Sequence, residues 1–584
     1  MLSKTNKFHL MVLVVLTVQI FLAFQGFDMC DEGFSLTFYQ QFFNAPESVE
    51  YNFVYWLSGL VGGIWYLFYN EGGILWFRLL AIIVNSSTFI LSYKLLKNHI
   101  KKNHALIGLS MVLFVNHFGF LAFYHNQLSA LIAVFAASVL IRGISKNNLI
   151  LIGLAGSLIG INIFSRLPNV TLLVWLLVIP FSGFLNSDKL KKVLKSMLVF
   201  AFGVVSGVFF ILVIMYFIGH LGIMERASLS IINLGGTDGS THNIISLFKT
   251  YWFNYKKVFT SFSWLVAISL VILIIENLFK NKTFLKRVLY LIPFLGLFIL
   301  FRKGGIQIMY AIGFIGTLWV LFSKQEKHST KILALLGLLM MLFLPLGSAG
   351  GMYDSGYMWI WLSVPFFIHF LSEIKNTTFI IKTKGNYISR DLSALMVENL
   401  MLTIVLSYFV SKAYSISQEA YFDKGSRVEK TYTINCKYAR AVYTTKERAT
   451  ITNELLRNLQ RYINPDDYLL AYDCIPMIHF LTNTKPYMYN PWVWVYDGNS
   501  FEEKIEKAER EIPILPIVVQ QKFSTIGAFS IPLTDYMDET KEETYLYNSR
   551  RVLAMNSFLK RNKYYLVWSN QYFNIYKSNK KIKF

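Results

Sequence analysis

The chain has 584 residues, of which 54% are hydrophobic and 15% are charged, and its formal net charge is +22. Soluble domains carry about 25% charged residues, so this composition excludes an ordinary water-soluble globular protein. The Lys and Arg residues lie between long apolar runs and form no single basic stripe, which argues against nucleic acid as a partner. The lipid bilayer is therefore the expected surrounding of most of the chain.

About thirteen apolar runs are predicted to be transmembrane helices, since about 20 residues of helix cross the hydrocarbon core. They cover residues 8–26, 74–94, 105–123, 126–141, 148–164, 169–185, 197–217, 259–279, 288–301, 306–322, 332–347, 357–372 and 393–411. Lys4 and Lys7 precede the first run, whose length predicts a retained span and not a cleaved signal peptide. We expect an all-α polytopic membrane domain over residues 1–411.

The short loops between these runs alternate in charge. Loops predicted to face the cytoplasm hold 23 Lys and Arg residues, whereas the opposite loops between spans hold seven. Since basic residues accumulate in cytoplasmic loops, the N-terminus is predicted to be cytoplasmic and the C-terminus to lie on the other side. The compact topology and the lack of eukaryotic retention signals favour a bacterial inner membrane, with a periplasmic C-terminal domain.

Residues 412–584 are richer in charge, and alternating helix and strand patterns predict a soluble α/β domain. Predicted helices cover residues 445–463, 501–511 and 543–561, and predicted strands cover 468–472, 514–519, 564–568 and 572–576. No Gly-rich phosphate fingerprint follows these strands, so nucleotide binding is not expected. In an oxidising compartment, Cys436 and Cys474 could form a disulfide.

The segment 27–73 between the first two spans is rich in Phe, Tyr and Trp, which predicts interfacial helices on the membrane surface. A true span over residues 51–69 is the alternative, but it would reverse the charge pattern of the following loops. The segment contains no Lys or Arg. It carries Asp28, Asp31 and Glu32 directly after the first span.

These three carboxylates lie at the membrane boundary, where limited hydration should raise or couple their proton affinities. Such a carboxylate can act as a general base toward a hydroxyl or amine acceptor while a lipid-borne donor approaches from the bilayer. The alternative is structural: acidic residues mark an outward loop, and Asp31 is a plausible N-cap for a helix over residues 32–43.

Several features together resemble the GT-C glycosyltransferases, a family that includes protein O-mannosyltransferases and lipid A aminoarabinose transferases. They are a first span followed by the acidic pair Asp31-Glu32, an interfacial double helix, a second span opened by Arg78-Leu79, and a C-terminal outer domain. The resemblance implies a polyprenyl-phosphate-linked sugar donor and a glycan, lipid or protein acceptor. It implies Asp31 as the catalytic acidic residue with Glu32 beside it, and Asp28 and Arg78 among the substrate-binding residues.

One departure from the family concerns the lipid phosphate. Aminoarabinose transferases carry cations after the acidic pair and before the second interfacial helix, but residues 32–35 and 50–53 contain none here. The phosphate must then be neutralised by a divalent metal ion, by basic residues elsewhere, or not at all. No cofactor is otherwise indicated, and no metal ligand set can be named.

Basic side chains at predicted outward ends of spans could bind that phosphate; they are Arg166, Arg226, Arg302 and Lys303. Snorkelling of these side chains to lipid headgroups is the structural alternative. His125 and Asn126 begin the fourth predicted span at the same side. His125 could assist proton transfer or bind metal, although a lone His is more often a hydrogen-bonded structural residue. Asp354, in a Gly-rich loop, is either a further polar site residue or part of a flexible turn.

Two other classes of function compete with a glycosyltransferase. A transporter or flippase typically shows paired repeats and broken elements at mid-membrane depth, which this sequence lacks. A polymerase or ligase acting on lipid-diphosphate glycans would also use outward Arg residues. That class is favoured by a long outward loop in the later half, whereas here the long loop follows the first span.

Overall fold

The computed structural model describes residues 4–115, 122–236, 244–279, 281–348, 350–375, 378–383, 386–391, 393–523, 535–540 and 548–580. Helices dominate this part of the chain up to residue 418, and the main sheet is formed by residues beyond 467. The predicted combination of a helical domain and a C-terminal α/β region is therefore present.

The helices follow one another with short connections. The α-helices are α1 Lys4–Ala23, α2 Asp31–Gln41, α3 Trp56–Phe68, α4 Gly73–Leu96, α5 Lys102–Leu113, α6 His125–Ser145, α7 Leu149–Ile163, α8 Val178–Asn186, α9 Leu190–Phe217, α10 Leu221–Gly236, α11 Ile244–Leu278, α12 Thr283–Leu289, α13 Leu291–Lys303, α14 Gly305–Phe322, α15 His328–Phe343, α16 Met352–Ser355, α17 Val364–Glu373, α18 Ala394–Gln418, α19 Lys446–Leu459, α20 Met477–Thr482, α21 Gly498–Glu511 and α22 Ser549–Arg561. The 3-10 helices are Pro46–Tyr55, Leu167–Leu177, Gly356–Met358, Arg427–Glu429, Lys437–Ala439 and Val493–Val495.

Eight helical segments in the described part of the chain are long and apolar enough to cross a membrane. They are α4, α6, Leu167–Leu185, α9, Ile245–Leu278, Phe284–Lys303, α14 and α18. Three shorter apolar helices, Lys7–Ala23, α7 and α15, accompany them. This pattern is compatible with a multi-pass membrane protein, as the composition predicted.

Two predicted spans contain shorter helices than expected. The run 105–123 contains α5, which has 12 residues, and residues 116–121 lie outside the described residues. The run 357–372 contains the 10-residue α17 after a 3-10 turn. A helix of 10 or 12 residues is about 15–18 Å long, which is short of the hydrocarbon thickness. Thirteen membrane crossings therefore stay a prediction.

The helices α7 and α9 pack closely, because glycines replace side chains along their contact. A Cβ atom on Gly156 would lie 2.1 Å from the carbonyl oxygen of Phe200, and one on Gly207 would lie 2.1 Å from that of Ser157. Small residues four apart let helix backbones approach directly, as in membrane helix dimers. We call this contact between α7 and α9 at Gly156 and Gly207 the glycine seam; it holds α9 against α7.

The C-terminal sheet has five strands in the order β6-β5-β7-β9-β8. The strands among the described residues are β1 Thr378–Thr383, β2 Asn386–Asp391, β3 Tyr432–Thr433, β4 Tyr443–Thr444, β5 Tyr468–Tyr472, β6 Lys485–Pro486, β7 Ile517–Gln521, β8 Tyr564–Ser569 and β9 Phe573–Ser578. β5 is parallel to β6 and β7, and β9 is antiparallel to β7 and β8. The strand predicted at residues 468–472 and the hairpin after residue 563 are confirmed.

Other sequence expectations for this region need correction. β6 and α20 were not predicted, and the hairpin of β1 and β2 lies where the charge pattern indicated a plain loop. The predicted helix 543–561 is α22, although residues 541–547 lie outside the described residues. The disulfide between Cys436 and Cys474 is wrong, since both thiols are free. The Cys436 thiol donates weakly to the carbonyl of Leu481 at 3.5 Å, and the Cys474 thiol lies beside the side chain of Trp492.

The C-terminal domain packs directly on α2. The backbone N–H of Met477 donates to the carbonyl of Met29 at 3.0 Å, and the hydroxyl of Thr37 donates to the carbonyl of Pro476 at 3.3 Å. A Cβ atom on Gly33 would lie 2.2 Å from the Met477 nitrogen, so only glycine permits this approach. The contact holds the start of α2 beneath the sheet.

The glycine seam yields a test of the helical packing. Gly207→Ala places a methyl group against a backbone carbonyl of α7, which must move apart, so we expect a loss of about 1–3 kcal/mol. Gly296→Ala is the matched control, since its Cβ would meet only a side-chain carbon at 3.5 Å. Thermal unfolding of the detergent-solubilised full chain measures both, and equal midpoints for the two variants would contradict the seam.

Candidate functional site

A buried ion pair joins the first residues of α2 to α4. Arg78 donates from Nε to Oε1 of Glu32 at 2.8 Å and from Nη2 to Oε2 at 2.7 Å, and both side chains are fully buried. Arg78 also donates to the carbonyls of Ala23 at 2.6 Å and Gly26 at 2.8 Å. Such a bidentate pair satisfies both charges inside the protein. The predicted catalytic role of Glu32 and substrate-binding role of Arg78 would require this pair to open.

Asp28 holds the beginning of α2. Its carboxylate accepts the backbone N–H of Cys30 at 2.7 Å and that of Glu32 at 2.8 Å, and the side chain is fully buried. These contacts satisfy N–H groups that a helix start leaves unpaired. The capping role that the sequence offered to Asp31 therefore belongs to Asp28, and that expectation is wrong. No atom of the Asp28 carboxylate is exposed to bind a substrate.

Asp31 is the first residue of α2 and remains partly exposed. Its Oδ2 accepts a hydrogen bond of 2.5 Å from the hydroxyl of Tyr421, which follows α18. Burial raises the pKa of Asp31 to about 6, with the Tyr421 hydrogen bond opposing the rise and the negative charge of Asp354 adding to it. A carboxylate with this pKa is ionised near neutral pH and is a stronger base than an ordinary Asp.

Five further side chains lie within electrostatic reach of Asp31 or of one another. We call the group the Asp31 cluster; its members are Asp31, Tyr55, Tyr124, Arg166, Asp354 and Tyr421. Burial raises the pKa of Tyr55 and of Tyr124, and both phenols lie in the fields of Asp31, Arg166 and Asp354. The negative charge of Asp31 and the positive charge of Arg166 therefore act electrostatically on the same two phenols, Tyr55 and Tyr124.

Arg166 supplies the positive charge of the cluster. It lies between α7 and the 3-10 helix Leu167–Leu177, is 3% exposed, and has its guanidinium 6.0 Å from the centroid of the Trp359 ring. It donates to the carbonyl of Leu344 at 3.1 Å and to the hydroxyl of Ser348. Within the described ranges no carboxylate forms a salt bridge with it, so its hydrogen-bond partners are neutral, and the charge of Asp354 acts on it without direct contact. A buried guanidinium without a direct counter-charge is suited to an anionic ligand.

His125 and Asn126 support the phenols of the cluster. The His125 ring stacks on Tyr55 with centroids 3.9 Å apart and planes at 9°, and Asn126 donates to the Tyr124 hydroxyl at 3.1 Å. The Oδ1 atom of Asn126 is buried without a partner among the residues that the structure describes. Both residues therefore contact phenols of the Asp31 cluster, and their contribution to the predicted site is through Tyr55 and Tyr124.

The other predicted cations lie elsewhere. Arg226 pairs with Glu47 and with Glu50, the latter at 2.8 Å, which neutralises its charge. Arg302 and Lys303 are exposed at the end of α13, where Arg302 lies 4.7 Å from the centroid of Tyr414. Neither forms a hydrogen bond or ion pair with the Asp31 cluster in the described part of the chain. Of the predicted phosphate ligands, only Arg166 joins Asp31.

Metal binding was left open by the sequence. Among the described residues, no three His, Cys, Asp or Glu side chains form a group that could hold a metal ion. Of the two carboxylates of the cluster, Asp31 accepts the Tyr421 hydroxyl and Asp354 accepts the backbone N–H of Gly350 at 2.7 Å, and both act electrostatically on Tyr55.

Sequence reasoning missed Tyr55 and Tyr421. Tyr55 stands in an aromatic run where nothing distinguishes it from its neighbours, and Tyr421 is separated from Asp31 by 390 residues. A weak signal existed for Tyr421, since it follows the last predicted span on the side assigned to Asp31. Asp354 was recognised only as one of two alternatives, and its place beside Arg166 favours the polar-site alternative.

The ion pair between Arg78 and Glu32 gives a prediction on stability. Arg78→Met leaves a buried carboxylate unpaired and should destabilise the protein by about 3–5 kcal/mol. Adding Glu32→Leu should recover part of that loss, because it removes the uncompensated charge. Thermal unfolding in detergent measures both, with the exposed Arg302→Met as the control. An Arg78→Met variant that unfolds at the wild-type temperature would refute the structural role.

No protein-family model matches the chain, and no curated protein is found to be similar to it. The functional interpretation consequently depends on the contacts of the Asp31 cluster. Its central features are a carboxylate of raised pKa and a buried guanidinium that act on the same two phenols.

Proposed function

We propose that the protein is a membrane glycosyltransferase of the GT-C type, which transfers a sugar from a polyprenyl-phosphate donor to an envelope glycan, lipid or protein. The bacterial inner membrane is the proposed location, with the C-terminal domain on the periplasmic side. The observation that carries the proposal is the convergence of Asp31 and Arg166 on Tyr55 and Tyr124. A proton acceptor and a phosphate-binding cation in one cluster are the two groups that this transfer needs.

The chemistry divides between these two side chains. The acceptor oxygen or nitrogen forms a bond to the anomeric carbon, and the bond from that carbon to the phosphate oxygen breaks. The acceptor proton passes to the Asp31 carboxylate, whose pKa of about 6 lets it take a proton and later release it to water. The departing polyprenyl phosphate gains negative charge, which the guanidinium of Arg166 stabilises in a site of low polarity.

The surroundings of Asp31 also favour a lipid-linked donor. The cluster is assembled from α2, the end of the 3-10 helix Pro46–Tyr55, the residues that precede α6 and the 3-10 helix Leu167–Leu177, α16, and the segment after α18. Several of these elements adjoin helices that are apolar enough to cross a membrane. A polyprenyl chain could therefore remain among apolar helices while its phosphate reaches Arg166.

The first functional prediction concerns the base. Asp31→Asn removes the proton acceptor without changing side-chain size and should lower transfer by about 10²–10⁴-fold. Glu71→Gln is the matched control, since Glu71 is an exposed carboxylate of the same segment and should leave transfer unchanged. The assay uses full-length protein in proteoliposomes, labelled polyprenyl-phosphate-linked mannose, glucose, arabinose and aminoarabinose as donors, and extracted envelope material as acceptor. Wild-type turnover by Asp31→Asn, or consumption of no donor by the wild type, would reject the proposal.

The second functional prediction concerns pH. Since Asp31 acts as a base only when ionised, kcat/KM should rise with pH through about 6 and then level off. The Tyr421 hydroxyl stabilises the ionised form, so Tyr421→Phe should raise the pKa of Asp31 and move the rising limb to higher pH. The exposed Tyr432→Phe serves as the control. If the rise of kcat/KM in Tyr421→Phe occurs at the wild-type pH or at a lower pH, the assignment of Asp31 as the base is contradicted.

A further inference from the structure

A second polar site lies at the beginning of α9. Four lysines, Lys189, Lys191, Lys192 and Lys195, occupy the N-cap and the first turns of this helix, and its first turn contains no acidic residue. Cations are unfavourable there, because the helix dipole and the free backbone N–H groups already make a helix N-terminus positive. Only Lys192 is neutralised, by Asp188 at 2.7 Å. In the described part of the chain, the other three form no salt bridge.

These lysines border a cavity of about 410 Å³ between α7, α8 and α9. Its apolar lining is formed by Ile144, Leu149, Ile152 and Ile179 from the neighbouring helices and by Val193 of α9 itself. An adjoining cavity of about 290 Å³ shares Asn147, Asp188 and Lys192 with it and extends to His328. The combined space therefore has a basic rim and an apolar wall.

Ser196 gives independent evidence that this cavity is built for a polar ligand. It lines the cavity, is 7% exposed, and its hydroxyl makes no hydrogen bond with any residue that the structure describes. Because this hydroxyl faces the cavity without a protein partner, it is available to hydrogen-bond a ligand or water there. The unpaired hydroxyl and the unpaired lysines lie along the same cavity.

This cavity is separate from the Asp31 cluster. The helix α9 has 28 residues and is therefore about 42 Å long. Just beyond its other end, the ring of His220 packs on Phe42 and Phe53, beside the segment that carries Asp31. The lysines and the Asp31 cluster thus lie near opposite ends of one membrane-length helix.

We propose that the cavity at the start of α9 binds the phosphate headgroup of an anionic phospholipid. The phosphate would accept hydrogen bonds from the lysine ammonium groups and the helix N-terminal N–H groups, and the acyl chain would lie on the apolar wall. A free phosphate ion has the same charge and hydrogen-bond acceptors as the headgroup, but it has no apolar part that could contact the apolar residues of the cavity. The apolar residues therefore favour the lipid as the source of the phosphate.

The experiment uses full-length protein purified in a neutral detergent and measures thermal unfolding against added lipid. Phosphatidylglycerol should raise the unfolding temperature by several degrees, whereas phosphatidylcholine and inorganic phosphate should not. The variant Lys191→Gln/Lys195→Gln should weaken the apparent affinity for phosphatidylglycerol about tenfold or more. Both lysines are exposed, so their substitution leaves the core intact.

The matched control is Lys94→Gln/Lys97→Gln, which removes the same charge from exposed positions at the end of α4. It should keep the wild-type response. An equal loss in both double variants would mean a general surface-charge effect and would overturn the proposal. It would also be overturned by a lack of response to phosphatidylglycerol. A response to inorganic phosphate that the Lys191→Gln/Lys195→Gln variant abolishes would replace the lipid by a free phosphate ion.

Discussion

The buried pair of Glu32 and Arg78 determines how the segment after the first helix is arranged. One guanidinium binds the Glu32 carboxylate and two carbonyls near the end of α1, so three parts of the chain meet at one side chain. The pair lies in a region of low polarity, where separated charges are costly, and it is therefore held firmly. Neighbouring residues on a helix point about 100° apart. With Glu32 directed to Arg78, Asp31 is left facing Tyr421 and the rest of its cluster.

Three carboxylates within five residues consequently have three different environments. Asp28 accepts backbone N–H groups, Glu32 is paired with a guanidinium, and Asp31 accepts a single phenolic hydrogen bond while remaining partly exposed. Environment, and not residue type, separates a structural carboxylate from a proton acceptor. The same distinction applies to the cations, because Arg226 forms salt bridges with two carboxylates whereas the hydrogen bonds of Arg166 to described residues go to neutral oxygens.

Features with a local cause were predictable from the sequence. Long apolar runs predicted α4, α6, α9 and α14, and alternating patterns predicted β5 and the helix that begins after Thr445, whose side chain accepts the N–H of Arg448. Contacts between distant residues were not predictable. Nothing near Asp28 and Asp31 in the chain indicates which of them caps α2, because that depends on where Arg78 holds Glu32. The partnership of Asp31 with Tyr421 likewise exists only in the folded chain.

The contact between α2 and the C-terminal domain has a consequence for biosynthesis. The thiol of Cys30 donates to the carbonyl of Cys474, 444 residues later, and Met477 donates to Met29 beside it. At ribosomal rates of 5–20 residues per second, about 20–90 s pass between the synthesis of these partners. During that interval α2 lacks the surface that covers it. The Asp31 cluster has the same dependence, because Tyr421 is synthesised 390 residues after Asp31.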